Sequence, residues 1–116
     1  FLIWDKRQPE NVSFASCEFA WTSFNRSAKT FYKRPQNADE QRIHPTQKPT
    51  VLYDWIYKNY SSKDMKILDT HLGSGSNAIS AYYYGVSEFV GIEIDKDYFS
   101  AATKRIDEQT NQLNLF

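Results

Sequence analysis

Residues 67–78 read Ile-Leu-Asp-Thr-His-Leu-Gly-Ser-Gly-Ser-Asn-Ala, and Glu93 stands eighteen residues beyond Gly75. Two glycines let the backbone turn tightly. If a strand ends at Asp69 and a helix starts at Ser76, the helix-start amides can face an anionic or carboxylate-bearing ligand. Taken alone the pattern is weak. With Ala78 it fits the loose G-x-G-x-x-A of dinucleotide sites, and an ordinary strand-to-helix turn has the same look. Glu93 sharpens it, because it ends the apolar run Phe89-Val90-Gly91-Ile92, and neighbouring parallel strands meet at one edge of a sheet. A carboxylate placed there accepts both hydroxyls of an adenosine ribose; a solvated strand end is the plain alternative. Nicotinamide cofactors and S-adenosylmethionine both carry such a ribose. A metal centre at His71 is not expected, since His44 is the other histidine and Cys17 the single cysteine.

The elements that must position these residues can be read from periodicity. Residues 1–5 (FLIWD) suit a buried strand already under way, which suggests that chain precedes Phe1. Residues 17–23 and 29–33 resemble two further strands, and Phe24-Asn25-Arg26-Ser27-Ala28 between them is hairpin-like, with Asn in the turn. Residues 35–45 are polar and read as a linker. From Lys48 to Tyr60 the apolar residues Val51, Leu52, Trp55, Ile56 and Tyr60 recur at helical spacing, with Pro49 in the first turn and Trp55 in the core. A strand over 65–68, a helix over 76–84, a strand over 88–94 and a last helix through Asp107 follow. Asp95 is its N-cap, and Tyr98, Phe99, Ala102 and Ile106 form its buried face. Helix, strand, helix, strand, helix implies parallel strands with crossovers.

Composition bounds the rest. At 116 residues, with 41% hydrophobic and 16% aromatic content, the chain is one globular domain at most. The zero net charge hides a division: residues 1–66 hold eleven Lys/Arg against seven Asp/Glu, and residues 67–116 three against seven. A basic first half can face phosphates, although scattered solvated side chains would give the same count. A single cysteine forms no internal disulfide, and no apolar run of membrane-spanning length occurs, so a soluble cytoplasmic protein is expected.

His44-Pro45-Thr46-Gln47-Lys48-Pro49 is the feature that chooses between the cofactors. It precedes the helix, then I-L-D-x-x-x-G-S-G-S, then G-I-E-I-D-x-x-Y-F-x-x-A-x-x-R-I. Together these closely resemble the amino-methyltransferases of DNA in which the cofactor motifs follow the catalytic motif. The match is strong over residues 44–106 and looser over 1–34. The resemblance implies a Rossmann-like S-adenosylmethionine-dependent methyltransferase fold, three-layer α/β/α, incomplete because the N-terminal catalytic strand is missing. It divides the chain into strands following the catalytic motif (1–34), a linker (35–45), a cofactor-binding region (46–111) and a tail (112–116). Thr46, Gln47 and Lys48 would flank the methionine end of the cofactor. Asp69, His71, Gly73, Ser74, Gly75 and Ser76 would form the cradle, and Glu93 would bind the ribose. The family usually has Asp-Pro-Phe where this chain has Asp69-Thr70-His71, which leaves a less rigid turn and a histidine of unassigned role.

The same resemblance implies double-stranded DNA as substrate, adenine as target and a bacterial or phage-encoded restriction-modification setting. Oligomeric state is not readable. The family's Asp-Pro-Pro-Tyr sequence, whose polar groups hold the target amine while an aromatic ring stacks on the flipped base, occurs nowhere in the 116 residues. In this motif order it belongs before Phe1, on a strand between those at Ile67 and Phe1. The isolated chain is therefore expected to be marginally stable, to transfer no methyl group and to bind cofactor weakly. Too few residues separate the strand at 29–33 from His44 for a DNA-reading domain, leaving short loops such as Arg34 to Arg42 or other parts of the protein to choose the site.

The chain closes on Gln112-Leu113-Asn114-Leu115-Phe116. This resembles the peptide by which bacterial replication proteins dock on the sliding clamp, with Gln112, Leu113, Leu115 and Phe116 as contacts; a tail folded back onto the domain is the alternative. Three competing readings stay open. One is cytosine amino-methylation, which shares the motif order. Another is a noncatalytic remnant that binds DNA or the clamp. The poorest is a nicotinamide oxidoreductase, which gives His44–Pro49 no role.

Overall fold

The computed structural model describes residues 1–9, 15–33 and 42–111. The chain divides into two compact units, Phe1–Asn37 and Ala38–Phe116. Most of the expected linker, the Arg34–Arg42 loop except Arg42 itself, and all of the expected clamp peptide lie outside the described residues.

Unit 1 is a three-stranded sheet of β1 (Leu2–Asp5), β2 (Cys17–Ala20) and β3 (Lys29–Tyr32), ordered β2-β1-β3. β2 runs antiparallel to β1 with Glu18 opposite Trp4, and β3 runs parallel to it with Phe31 opposite Trp4. The hairpin expected between the second and third strands is therefore not formed; the two flank β1. The reason lies in β1, which alone of the three buries residues, Leu2 and Trp4. A strand with apolar side chains to bury takes the centre, where both its backbone edges are bonded, and leaves the more polar strands at the edges. The Trp4 indole N–H donates to the Lys33 carbonyl at 2.7 Å, the partner a buried indole needs.

Unit 2 follows the expected order: α1 (Thr50–Tyr60), β4 (Lys66–Asp69), α2 (Ser76–Tyr84), β5 (Glu88–Gly91) and α3 (Lys96–Asn111). β4 and β5 pair in parallel, Ile67 opposite Phe89, with α2 as the crossover. The architecture is α/β, the incomplete Rossmann-like arrangement. Ile67 and Phe89 are half-buried, while Leu68 and Val90, which point the other way, are exposed. No described helix is long and apolar enough to cross a membrane.

Several boundaries and burials differ from expectation. Pro49 is the N-cap of α1, in extended backbone, rather than a first-turn residue. Trp55 is only half-buried; Tyr57 takes the core place, 4% exposed, stacked on Tyr84 of α2 at 5.6 Å between ring centroids. The facing helix, not α1's own periodicity, decides which aromatic goes in. β5 stops at Gly91, so Glu93 lies two residues past the strand. The ladder nonetheless continues through Ile92, whose N–H donates to Asp69 O at 2.8 Å and whose carbonyl accepts Leu72 N–H at 2.8 Å. Asp95 does cap α3, its Oδ1 accepting the N–H groups of Asp97 and Tyr98 at 3.0 and 2.9 Å. On α3 Phe99 is exposed, and Arg105 joins Ala102 inside instead.

Candidate functional site

The glycine turn follows directly from β4. Asp69, the last strand residue, folds its carboxylate over the turn: Oδ1 accepts His71 N–H at 3.0 Å and Oδ2 accepts the Asn77 side-chain amide at 2.9 Å. Asn77 in turn accepts the buried Tyr57 hydroxyl. Burial foremost, then the charges of Asp69 and Tyr53, push the Tyr57 phenol far above its ordinary value, so it remains a donor. A chain of side chains thus ties the core of α1 to the start of the turn.

Gly73 and Gly75 both have positive φ, 58° and 84°, the region glycine adopts without strain. At Gly75 space matters as well: a Cβ there would lie 2.9 Å from Ile106 Cδ1 and 3.5 Å from the Ala102 carbonyl. Gly75 is therefore what lets the turn close against α3. From that helix Arg105 reaches in, 5% exposed, and its Nη1 donates to Ser74 O at 3.0 Å and Ser76 Oγ at 2.9 Å.

Glu93 meets the turn from the other side. Its Oε1 accepts Gly73 N–H at 2.9 Å, and its Oε2 accepts Asp95 N–H at 2.9 Å. These two donors, Asp95 first, hold the carboxyl below its ordinary range, with the charge of His44 a lesser influence. Carboxylate oxygens have further lone pairs, so Glu93 keeps acceptor capacity for a ligand.

The segment before α1 supplies the remaining wall. Gln47 N–H donates to His44 O at 3.2 Å, and the Gln47 side-chain oxygen accepts Ile43 N–H at 2.9 Å, folding His44–Gln47 into a turn. His44 Nδ1 accepts Thr46 N–H at 3.2 Å. Arg42 adds donors to the carbonyls of His44 and Pro45.

These pieces enclose an open cavity of about 320 Å³, within the range of small-molecule sites. The segment before α1 contributes His44, Thr46, Gln47 and Lys48, and α1 contributes Tyr53. The turn contributes His71, Leu72, Gly73 and Ser74, α2 contributes Ser76, and Glu93 closes the far side. Of the ten residues expected at a cofactor site, eight line this cavity. Asp69 and Gly75 do not; they set the course of the turn from behind its lining. His44 and Tyr53 line it without having been named as site residues, although His44 stood in the quoted motif; Leu72, also in the lining, belongs to the backbone run from His71 through Ser76 expected to form the cradle. Asn77 and Arg105 also escaped notice. Their only sequence signal is an amide just inside a helix start and an arginine at the spacing of an apolar face. No group of three or more His, Cys, Asp or Glu able to hold a metal occurs among the described residues.

A family of sequences described as DNA methylase, of the N6/N4 type, matches residues 3–104. Among curated proteins the chain is similar to the type II methyltransferases M.ScaI of Streptomyces caespitosus (36% identical over 74 residues) and M2.DpnII of Streptococcus pneumoniae (37% over 71). It spans about a quarter of their length, 24% and 26%, while the matches take in 64% and 61% of this chain. Among solved structures, the S-adenosylmethionine complex of M1.HpyAVI superposes with a TM-score of 0.69 at 24% identity, covering 91% of this chain and 60% of that one. TTHA0409 of Thermus thermophilus, solved with S-adenosyl-L-methionine, gives 0.59 at 16% identity, covering 93% and 52%. At those identities the likeness establishes the fold.

Proposed function

The chain belongs to the N6/N4 DNA methylase family, and from that premise we propose that its cavity binds S-adenosyl-L-methionine as part of an enzyme that methylates the exocyclic amine of adenine in double-stranded DNA. The observation that carries this reading is the convergence of Lys48, the glycine turn and Glu93 on one cavity. Lys48 offers a cation to the methionine carboxylate, with Thr46 and Gln47 beside it. His71, Gly73, Ser74 and Ser76 wrap the middle, and Glu93 accepts from the ribose. Each charge-assisted bond contributes about 1.5 to 3 kcal/mol. When bound, the cofactor supplies an electrophilic methyl group; these residues bind and orient it. Both solved structures named above hold this cofactor.

By this reading residues 46–111 are the cofactor-binding region and residues 1–34 the strands that follow the catalytic motif. The 116 residues contain no Asp-Pro-Pro-Tyr-like sequence, so on their own they transfer no methyl group. DNA as the partner draws support from unit 1, where Phe19, Trp21 and Tyr32 are exposed and the Arg7 guanidinium lies 4.2 Å from the Tyr32 ring centre. Exposed rings interleaved with cations suit stacking and phosphate contact. Residues 112–116 are assigned to the sliding clamp on their sequence, and the setting to the bacterial cytoplasm, where DNA and clamp are found.

Calorimetry with S-adenosylhomocysteine tests the reading: measurable binding is expected, and its absence would leave the noncatalytic remnant as the better account. For the whole enzyme, nucleoside analysis of treated DNA decides the target. N6-methyladenine is expected, and N4-methylcytosine would move the assignment to cytosine.

A further inference from the structure

A second cavity, of about 390 Å³, opens among α1, α2 and α3 of unit 2 and shares no lining residue with the first. Its size is within the range of small-molecule sites. Ile79 and Ser80 of α2, 2% and 1% exposed, form its floor. Asp54 of α1, Tyr83 and Tyr84 of α2 and Gln109 of α3 stand around it. The hydrogen bonds of this group are one-sided. The Ser80 hydroxyl donates to Asp54 Oδ1, the Tyr83 hydroxyl to the Gln109 carbonyl, and the Tyr84 hydroxyl to the Ser61 carbonyl at 2.8 Å. Three hydroxyl hydrogens are thus engaged inside the protein, while Asp54 keeps its second oxygen and the hydroxyls their lone pairs. Among the described residues no Lys, Arg or His pairs with Asp54, and none lines the cavity. Both rings are held in place: Tyr84 stacks on Tyr57 with centroids 5.6 Å apart, and Tyr83 meets Tyr82 edge-on at 5.4 Å. Unit 2 as a whole, residues 38–116, holds eight Lys/Arg against eleven Asp/Glu.

We propose that this cavity binds a small organic cation bearing a guanidinium or primary ammonium group, with Asp54 as its counter-charge and the Tyr83 and Tyr84 rings as its walls. Such groups carry donors and no acceptor, the complement of a lining whose hydroxyl donors are already engaged. They are also attracted to the face of an aromatic ring. A neutral ligand of the same shape would find the acceptors and gain from neither the charge nor the rings, and an anion would meet a carboxylate with no cation beside it. The Ser80 bond holds the carboxylate against α2, so less ordering of the acid is needed when the ligand arrives. Because three helices of one unit form the cavity and its floor is buried, a free molecule suits it better than an arginine held on a partner's main chain.

Calorimetric titration of the protein with n-butylguanidinium and with n-butylurea tests the assignment, because the two compounds share a shape and only the first is charged. Saturable binding of n-butylguanidinium is expected, about tenfold tighter than that of n-butylurea. Asp54→Asn keeps an oxygen to accept the Ser80 hydroxyl and removes the charge. It is expected to weaken n-butylguanidinium about five- to tenfold, the lower part of the range for a charge-assisted bond because Asp54 is exposed, and to leave n-butylurea and S-adenosylhomocysteine unchanged. Tyr83→Leu removes one ring and should weaken n-butylguanidinium about two- to fivefold. Equal affinities for the two compounds, or an Asp54→Asn variant that binds n-butylguanidinium as the unaltered protein does, would overturn the proposal. If Asp54→Asn lowers the melting temperature, the comparison of the two compounds on the unaltered protein still decides the case. Nα-acetyl-arginine N-methylamide presents the same guanidinium between two peptide groups. Weaker binding than n-butylguanidinium supports a free ligand, and tighter binding would show that the cavity takes a partner's side chain instead.

Discussion

Glu93 accepts the backbone N–H of Gly73 at 2.9 Å, so the acid assigned to the ribose also fastens the glycine turn to the segment beyond β5. Two functions in one carboxylate predict a graded response to substitution. Glu93→Gln retains one side-chain oxygen for Gly73 and should keep the turn while losing the charge. Glu93→Ala removes both the turn bond and the ribose acceptors. Calorimetry should find S-adenosylhomocysteine weakened roughly ten- to a hundredfold in the alanine variant, for one or two charge-assisted bonds, and less in the glutamine variant. Equal affinities for all three proteins would place the ribose elsewhere.

The same carboxylate sets a pH dependence. Its pKa in the folded chain is lowered from an ordinary 4.5, by the N–H of Asp95 first and of Gly73 second. A group with a lowered folded pKa stabilises the fold above its ordinary value, and that contribution is lost as pH falls through the folded one. Stability and cofactor affinity should therefore be level in neutral solution and decline in acid below that ordinary value. Asp64, also lowered, chiefly by its bond from the Ser62 hydroxyl, adds a stability change of the same sign but lies outside the cavity lining. Asp64→Asn should remove part of the acid dependence of the melting temperature and none of that of affinity, whereas Glu93→Gln should flatten the affinity profile.

The Tyr57–Asn77–Asp69 chain is the route by which the helical core positions the turn. Asn77→Ala leaves the Tyr57 hydroxyl and one Asp69 oxygen without their partner. Urea titration should show a loss of about 1 to 3 kcal/mol, the range for an unsatisfied, partly buried polar group. Tyr57→Phe removes only the donor and should cost less, about 1 kcal/mol. If the two variants lose the same amount, Asn77 is not linking Tyr57 to Asp69.

What the sequence made legible, and what it concealed, follows the range of the interactions. The glycine turn, the Asp95 cap and the α2 boundaries depend on neighbours within a few residues, and all were readable. The link from Tyr57 to Asn77 joins residues twenty apart, and Arg105 reaches back thirty-one residues to Ser74; composition offers no sign of either. Arginine is mostly exposed, so a buried one reads as surface until its acceptors are seen. The strand order of unit 1, β2-β1-β3, is not legible in the sequence, because a connection with Asn in it fits a hairpin locally. The choice was made by β1, which had two apolar side chains to cover. The apolar run puts Glu93 at a strand end, whereas the strand stops at Gly91; Glu93 still reaches the turn because the ladder continues through Ile92.

The clamp assignment can be tested apart from the fold. Leu115→Ala with Phe116→Ala removes the two apolar anchors such a peptide inserts. Pull-down by the replication clamp should be abolished, while S-adenosylhomocysteine affinity stays within error. Undiminished pull-down would end the idea.

Gly73 and Gly75 look alike in sequence and both sit at positive φ, but their surroundings differ. A Cβ on Gly73 would have the His71 carbonyl as its nearest neighbour, at 3.9 Å, whereas one on Gly75 would be driven to 2.9 Å from Ile106 Cδ1. Gly73→Ala should therefore cost only the left-handed backbone, about 1 to 2 kcal/mol. Gly75→Ala should cost that and a crowding term, moderated because a side-chain tip can move. Ile106→Ala removes the obstructing atoms at its own cost, about 2 to 5 kcal/mol when an isoleucine is buried and less here, where it is half-buried. A double-mutant cycle isolates the coupling. On the Ile106→Ala background the extra penalty of Gly75→Ala over Gly73→Ala should vanish in urea titrations. If the excess persists, the crowding comes from the Ala102 carbonyl on the α3 backbone, 3.5 Å away, and the turn closes against the helix itself rather than against Ile106.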